Sequence, residues 1–114
     1  MDIGNLENVI HNIVDKAIVK EIMSLQLAVR LIEAVEEKAS KMGLAVVVAV
    51  SDASGRPVAV HCMDGAYHGS FDVAVNKAYT STAFRMSTDK LSGLCQPGQE
   101  LYGLQFSNCG KVMI

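Results

Sequence analysis

Apolar residues recur at helical spacing in the first third of the chain, change to a short β-branched run in the middle, and return to helical spacing afterwards. The first stripe is Ile3, Leu6, Ile10, Ile13 and Ala17, widened by Val9, Val14 and Ile18, with Asn5, Glu7, Asn8, Asn12 and Asp15 on the opposite side. That spacing predicts an amphipathic helix that stops near residues 20–23. Ser24 is the predicted N-cap of a second helix whose core face is Ala28, Leu31, Ile32, Val35, Ala39 and Met42, with Gly43 closing it as the C′ residue. Glu37 and Lys41 lie four apart in the favourable order on its wet face.

LAVVVAV, residues 44–50, is too short and too β-branched for a good helix and runs into the turn cluster Ser51-Asp52-Ala53-Ser54-Gly55. Pro57 then opens VAVHCM, so an antiparallel hairpin is expected, with helices covering both faces of its apolar first strand. Alternation puts Val58, Val60 and Cys62 on one face and Ala59, His61 and Met63 on the other. Asp64-Gly65 ends the strand, a turn signature by itself, and Ser70 is the expected cap of a helix over residues 71–85 with Asp72 in its first turn. One face of that helix is Phe71, Ala74, Val75, Ala78 and Thr82; Lys77 sits in a second, mixed stripe, where a lysine either snorkels to solvent or meets an acid. Ser87 caps a short helix through Leu94, residues 97–110 are glycine-punctuated and aperiodic, and KVMI, residues 111–114, begins another strand. An unfinished strand there should bury its edge against another subunit.

The sum is an α+β pattern with a mainly antiparallel sheet flanked by helices, plus an extra N-terminal amphipathic helix. At 114 residues a single core is expected, and although half the residues are apolar, no run approaches the roughly 18 that a membrane span needs. No membrane partner is expected. The start lacks a basic n-region and carries acids within its apolar pattern, which argues against a secretory signal and for a cytoplasmic location. A net charge of −2 with no basic cluster argues against nucleic-acid binding. Cys62, Cys95 and Cys109 are odd in number and widely spaced, which reads as reduced, mostly buried thiols rather than a disulfide framework or a structural zinc site. The sequence contains no phosphate loop, no H-E-x-x-H, no nucleophile elbow and no recognisable nucleophile or general base.

Three pieces of sequence carry a resemblance: the V-x-D-x-x-G hairpin of Val50, Asp52 and Gly55, the MDGA turn at Met63 to Ala66, and the N-K-A-Y-T-S helix at Asn76 to Ser81. With PGQELYGLQ, residues 97–105, they resemble the GlcG/HbpS family, which includes the C-terminal domain of PduO, from about Ser24 to Ile114. The resemblance implies a profilin-like fold, assembly into dimers or larger homo-oligomers, and haem as a cofactor, with cobalamin the second-ranked tetrapyrrole. It also implies a family segment beyond the position of Ile114, a glycine-rich loop, a strand and a closing helix, that this sequence does not contain. The chain divides into residues 1–22, a segment resembling the helices that address enzymes to bacterial microcompartments, and residues 23–114, the GlcG/HbpS-like domain. A shell or cargo partner through residues 1–22 and a place in the microcompartment lumen follow from that likeness.

The candidate ligand-binding residues are Met63, Asp64, Gly65, Tyr67, His68 and Lys77. His68 is the candidate haem-iron ligand because it lies in a connection that can open over a planar group, and Lys77 the candidate for a propionate. His61 and His11 are weaker candidates, one in the sheet and one at the edge of the first stripe. The expected function is a non-enzymatic haem-binding accessory protein associated with diol or glycerol dehydratase or microcompartment metabolism. The alternatives are an enzyme acting on haem or a small metabolite, and a structural assembly module.

Overall fold

The computed structural model describes residues 7–12 and 22–114. Residues 7–12 are helical, with Val9 and Ile10 exposed; the rest of the expected stripe lies outside the described residues. From residue 22 on, the element order is α1 (Leu25–Lys41), β1 (Val47–Ser51), β2 (Pro57–Cys62), α2 (Ser70–Phe84) and α3 (Thr88–Leu94), followed by short 3-10 turns at Leu104–Phe106 and Asn108–Gly110. The fold is α+β, with an antiparallel two-stranded sheet and helices packed on it.

Local chemistry accounts for the element ends. The Ser24 hydroxyl accepts from Leu27 N at 3.1 Å and starts α1, which ends at Gly43 in the left-handed region, φ +71. Ser87 caps α3 in the same way, accepting from Lys90 N at 3.2 Å. The Glu37–Lys41 pair forms at 3.3 Å on the solvent face. Helix α2 departs from expectation at both ends. Ser70 is its first residue rather than its cap, because Gly69 already has helical angles, φ −62 and ψ −21, and an N-cap side chain works only from an extended backbone. At the other end Arg85 lies outside the helix in the left-handed region, φ 55.

The hairpin pairs Val47 with Cys62, Val48 with His61, Ala49 with Val60 and Val50 with Ala59, then slips by one residue so that Ser51 faces Pro57. Directly opposed residues share a face, so Val48, Val50, Ala59 and His61 point one way and Val47, Ala49 and Val60 the other. His61 meets Glu36 of α1, whereas Ser51 meets the Ala78 carbonyl and Thr82 of α2. The two helices therefore cover opposite faces of the sheet, as the apolar first strand required.

Burial in α1 is narrower than its stripe. Ala28, Ile32 and Ala39 are buried, while Leu31, Val35 and Met42 are exposed. Two strands spaced about 4.8 Å apart are too narrow to cover the full apolar face of a helix. The remaining core gathers Leu91 and Cys95 from α3 and its end with Val112. Cys62 and Cys109 are exposed, correcting the expectation of mostly buried thiols: one sits at the outer end of β2 and the other in a 3-10 turn.

The expected strand at residues 111–114 does not form. Its backbone is held by a side chain instead. Thr80 is fully buried, and its Oγ1 accepts from Met113 N at 2.9 Å and lies 2.7 Å from the Asn76 carbonyl and 3.2 Å from the Lys111 carbonyl. Pinned to α2, this segment pairs with no strand among the described residues, so the unfinished edge expected there does not form.

Candidate functional site

Only part of the V-x-D-x-x-G motif lies within the strands, and its polar residues build the hairpin. Asp52 Oδ1 accepts from Ser54 N at 2.9 Å, the Ser54 hydroxyl at 2.6 Å and Arg56 N at 3.1 Å. The Ser54 hydroxyl bond, followed by the Arg56 backbone N–H, holds the Asp52 carboxyl below its ordinary value. Gly55 has φ +83, and a Cβ there would stand 2.9 Å from Tyr79 Cδ2, so both conformation and space demand glycine.

The connection from β2 to α2 is where the candidate residues concentrate. Met63 extends the ladder by one residue: its N–H donates to the Val46 carbonyl at 3.1 Å, and its Sδ turns back to accept from Val46 N at 3.5 Å. A turn then closes with Ala66 N donating to the Met63 carbonyl at 3.1 Å, Asp64 exposed and Gly65 at φ +85. Added bulk at Gly65 would make only ordinary contact with Ala45 Cβ at 3.8 Å, so the left-handed conformation is what selects glycine there. A second turn, Ser70 N to the Tyr67 carbonyl at 3.0 Å and Phe71 N to the His68 carbonyl at 3.3 Å, launches α2. It leaves Tyr67 86% exposed, His68 exposed and Phe71 43% exposed.

Lys77 stands elsewhere. It lines an open groove of about 540 Å³ with Val46, Val47, Val48, Ala49 and Ala78, and no residue of the connection from Met63 to Ser70 reaches that groove. Five of the six candidates thus share one connection, and the sixth belongs to a different surface.

The sequence reading missed the Glu36–His61 contact, in which His61 Nδ1 lies 2.6 Å from Glu36 Oε1. Glu36 stands four residues after Ile32, at the edge of the apolar stripe of α1 and half-buried, but that spacing does not name a partner 25 residues away. His11 is exposed on residues 7–12. Among the described residues no group of three or more His, Cys, Asp and Glu side chains gathers to hold a metal ion, and no helix is long and apolar enough to cross a membrane. A haem iron makes a smaller demand, one imidazole with apolar surface beside it. On the connection the His68 ring makes no hydrogen bond among the described residues and is next in sequence to the exposed Tyr67, with Phe71 three residues on in α2, whereas the His61 ring is engaged.

Residues 23–114 match the family described as haem degrading protein HbpS-like. The chain is 37% identical over 92 residues to a 15.0 kDa protein of the dhaT-dhaS intergenic region of Citrobacter freundii, covering 81% of this chain and 65% of that protein. It is also 37% identical over 84 residues to the corrinoid adenosyltransferase PduO of Salmonella typhimurium, covering 74% of this chain and 25% of PduO. Among solved structures, Klebsiella pneumoniae protein ORFY superposes with a TM-score of 0.78 at 36% identity, covering 81% of this chain and 63% of that one. A PduOC complex with haem superposes with a TM-score of 0.70 at 37% identity, covering 73% of this chain and 60% of that one.

Proposed function

The chain belongs to the HbpS-like family, and from that membership we propose that it binds haem through the connection ahead of α2, as an accessory protein rather than an enzyme. The observation that carries this reading is the exposure of Tyr67 and His68 on that connection, with Phe71 exposed in the first turn of α2. Support comes from the PduOC relative solved with haem.

In this reading the His68 imidazole is the iron ligand, and Tyr67 and Phe71 give a planar macrocycle the apolar surface it needs. Gly65 and Asp64 shape the turn that projects these side chains, and Met63 anchors its base through Val46. Bound haem supplies a redox-active iron with strong visible absorption. No recognised catalytic motif surrounds these residues in the sequence, which favours binding over turnover. The large exposed side chains away from that connection, Phe106 and Tyr102 foremost, favour burial against another copy, so a homo-oligomer belongs to the proposal. So does an association with dehydratase or microcompartment metabolism, with residues 1–22 as the docking segment.

Haem titration tests it. The protein is expected to develop a Soret band with a low-spin spectrum, lost in His68→Ala and retained in His61→Ala and His11→Ala. An unchanged spectrum in His68→Ala would overturn the ligand assignment. Progressive bleaching of the bound haem under reductant would favour the enzyme alternative.

A further inference from the structure

A cavity of about 300 Å³ lies between the tip of the hairpin and α2. Its walls are the turn at residues 54–57, the side of α2 that carries Val75, Asn76 and Tyr79, and Lys111. Those three helix residues stand at i, i+1 and i+4, with Val75 and Tyr79 one above the other on the same face. Contact at the tip is close. A Cβ on Gly55 would stand 2.9 Å from Tyr79 Cδ2, so the turn is seated on the tyrosine ring.

The lining holds two cations and no acid. Asp52 Oδ2 approaches Arg56 Nε at 3.6 Å, longer than a hydrogen bond, and among the described residues the guanidinium makes no hydrogen bond. Lys111 makes no ion pair among the described residues, and its Nζ stands 5.9 Å from the centroid of the Tyr79 ring. The half-buried Asn76 side-chain amide is also without a hydrogen bond among them. Tyr79 Oη accepts from Asn108 Nδ2 at 2.9 Å and keeps its own proton to donate. Four donor side chains therefore border one cavity, two of them charged.

The segment that brings Lys111 there is held against its conformational preference. Asn108 at φ 52, Cys109 at φ 57 and Gly110 at φ 77 follow one another in the left-handed region, and two of the three carry a Cβ. Such residues persist where the surroundings over-determine them, and they gather at ligand sites. Here the side chains on either side of the strained pair, Asn108 and Lys111, both close on Tyr79. The next main-chain contact, between the Lys111 carbonyl and Thr80 Oγ1 at 3.2 Å, fixes the segment to α2.

We propose that this cavity binds a small dianion, a short dicarboxylate or a phosphate, held by the Arg56 guanidinium and the Lys111 ammonium, with Asn76 and Tyr79 as neutral donors. The guanidinium fork matches the paired oxygens of a carboxylate or a phosphate, and the ammonium supplies the second charge. Two cations lining one small cavity repel each other, and an anion between them removes that repulsion. The connection from Met63 to Ser70 contributes nothing to these walls, so the site is separate from the haem-binding reading and stands without it.

The test is a nuclear magnetic resonance titration of the isotope-labelled 114-residue chain with sodium succinate and, separately, sodium phosphate, each against sodium chloride at matched ionic strength. Saturable shifts are expected at the Gly55, Arg56 and Lys111 amides and none at Gly65. Tighter binding of succinate assigns a carboxylate ligand, and tighter binding of phosphate a phosphate one. Arg56→Gln and Lys111→Gln should each weaken binding about tenfold, the size of one hydrogen bond to a charged group. Lys111→Arg should recover most of the affinity, and Lys90→Gln, on α3, should leave it unchanged. Protection of the Met113 amide from hydrogen exchange reports that the variants keep the segment in place. No saturable shift with either anion, the same shifts with chloride, or full affinity in either glutamine variant would overturn the proposal.

Discussion

His61 Nδ1 and Glu36 Oε1 lie 2.6 Å apart and join the outer end of β2 to α1, the one polar link between that helix and the sheet among the described side chains. The two side chains are 41% and 29% exposed, so solvent competes for both groups and the contact contributes about 1 kcal/mol. Glu36→Ala is expected to lower the urea midpoint by that amount without changing the denaturant slope. Glu36→Gln, which keeps an acceptor at the same position, should recover part of it.

Thr80 carries more. Thr80→Val conserves shape but leaves the half-buried Met113 N–H without its acceptor, and removes the hydroxyl proton that the Asn76 carbonyl holds at 2.7 Å, at a cost of about 1–3 kcal/mol. Hydrogen exchange at Met113 should accelerate well beyond the change in global stability. Thr80→Ser, retaining the hydroxyl, should restore protection at that amide.

Asp52 sets an acid limit on the hairpin. Its folded-state carboxyl lies below the ordinary value of 3.8, chiefly through the Ser54 hydroxyl and the Arg56 N–H. The unfolded chain therefore binds the proton more readily, and the contribution is fully present above pH 3.8 and lost as pH falls through the lower folded value. In acid titrations followed by circular dichroism, Asp52→Asn should flatten the pH dependence of stability in that window. An unchanged slope would mean that other carboxylates govern it.

Residues 1–22 should be detachable. If the stripe of Ile3, Leu6, Ile10 and Ile13 were packed into the core of the domain, losing each aliphatic side chain would cost about 2–5 kcal/mol, enough together to unfold it. Val9 and Ile10 are exposed instead. Deletion of residues 1–22 is expected to leave the thermal unfolding transition of residues 23–114 in place and to abolish co-sedimentation with purified microcompartment shells. A truncated chain that fails to fold would assign the segment to the domain.

Local chemistry was legible in the sequence wherever a residue acts on its near neighbours. Ser24 and Ser87 are caps, Gly43 and Gly65 take the left-handed conformation, Glu37 meets Lys41 one turn on, and the β-branched run forms a hairpin, because each of these bonds closes within a few residues and has a recognisable spacing. The grouping of Met63, Asp64, Gly65, Tyr67 and His68 was legible for the same reason: they share one connection. Tertiary structure decided whatever depends on which surfaces meet. It separated Lys77 from those five by setting it above the β1 edge, joined Glu36 to His61, left Leu31 and Val35 exposed beside a sheet too narrow to cover them, and gave the main chain of 111–114 to Thr80 rather than to a strand. Apolar periodicity states that a face is to be buried, but not how wide its cover is, and a polar residue's spacing does not name a partner brought to it by folding.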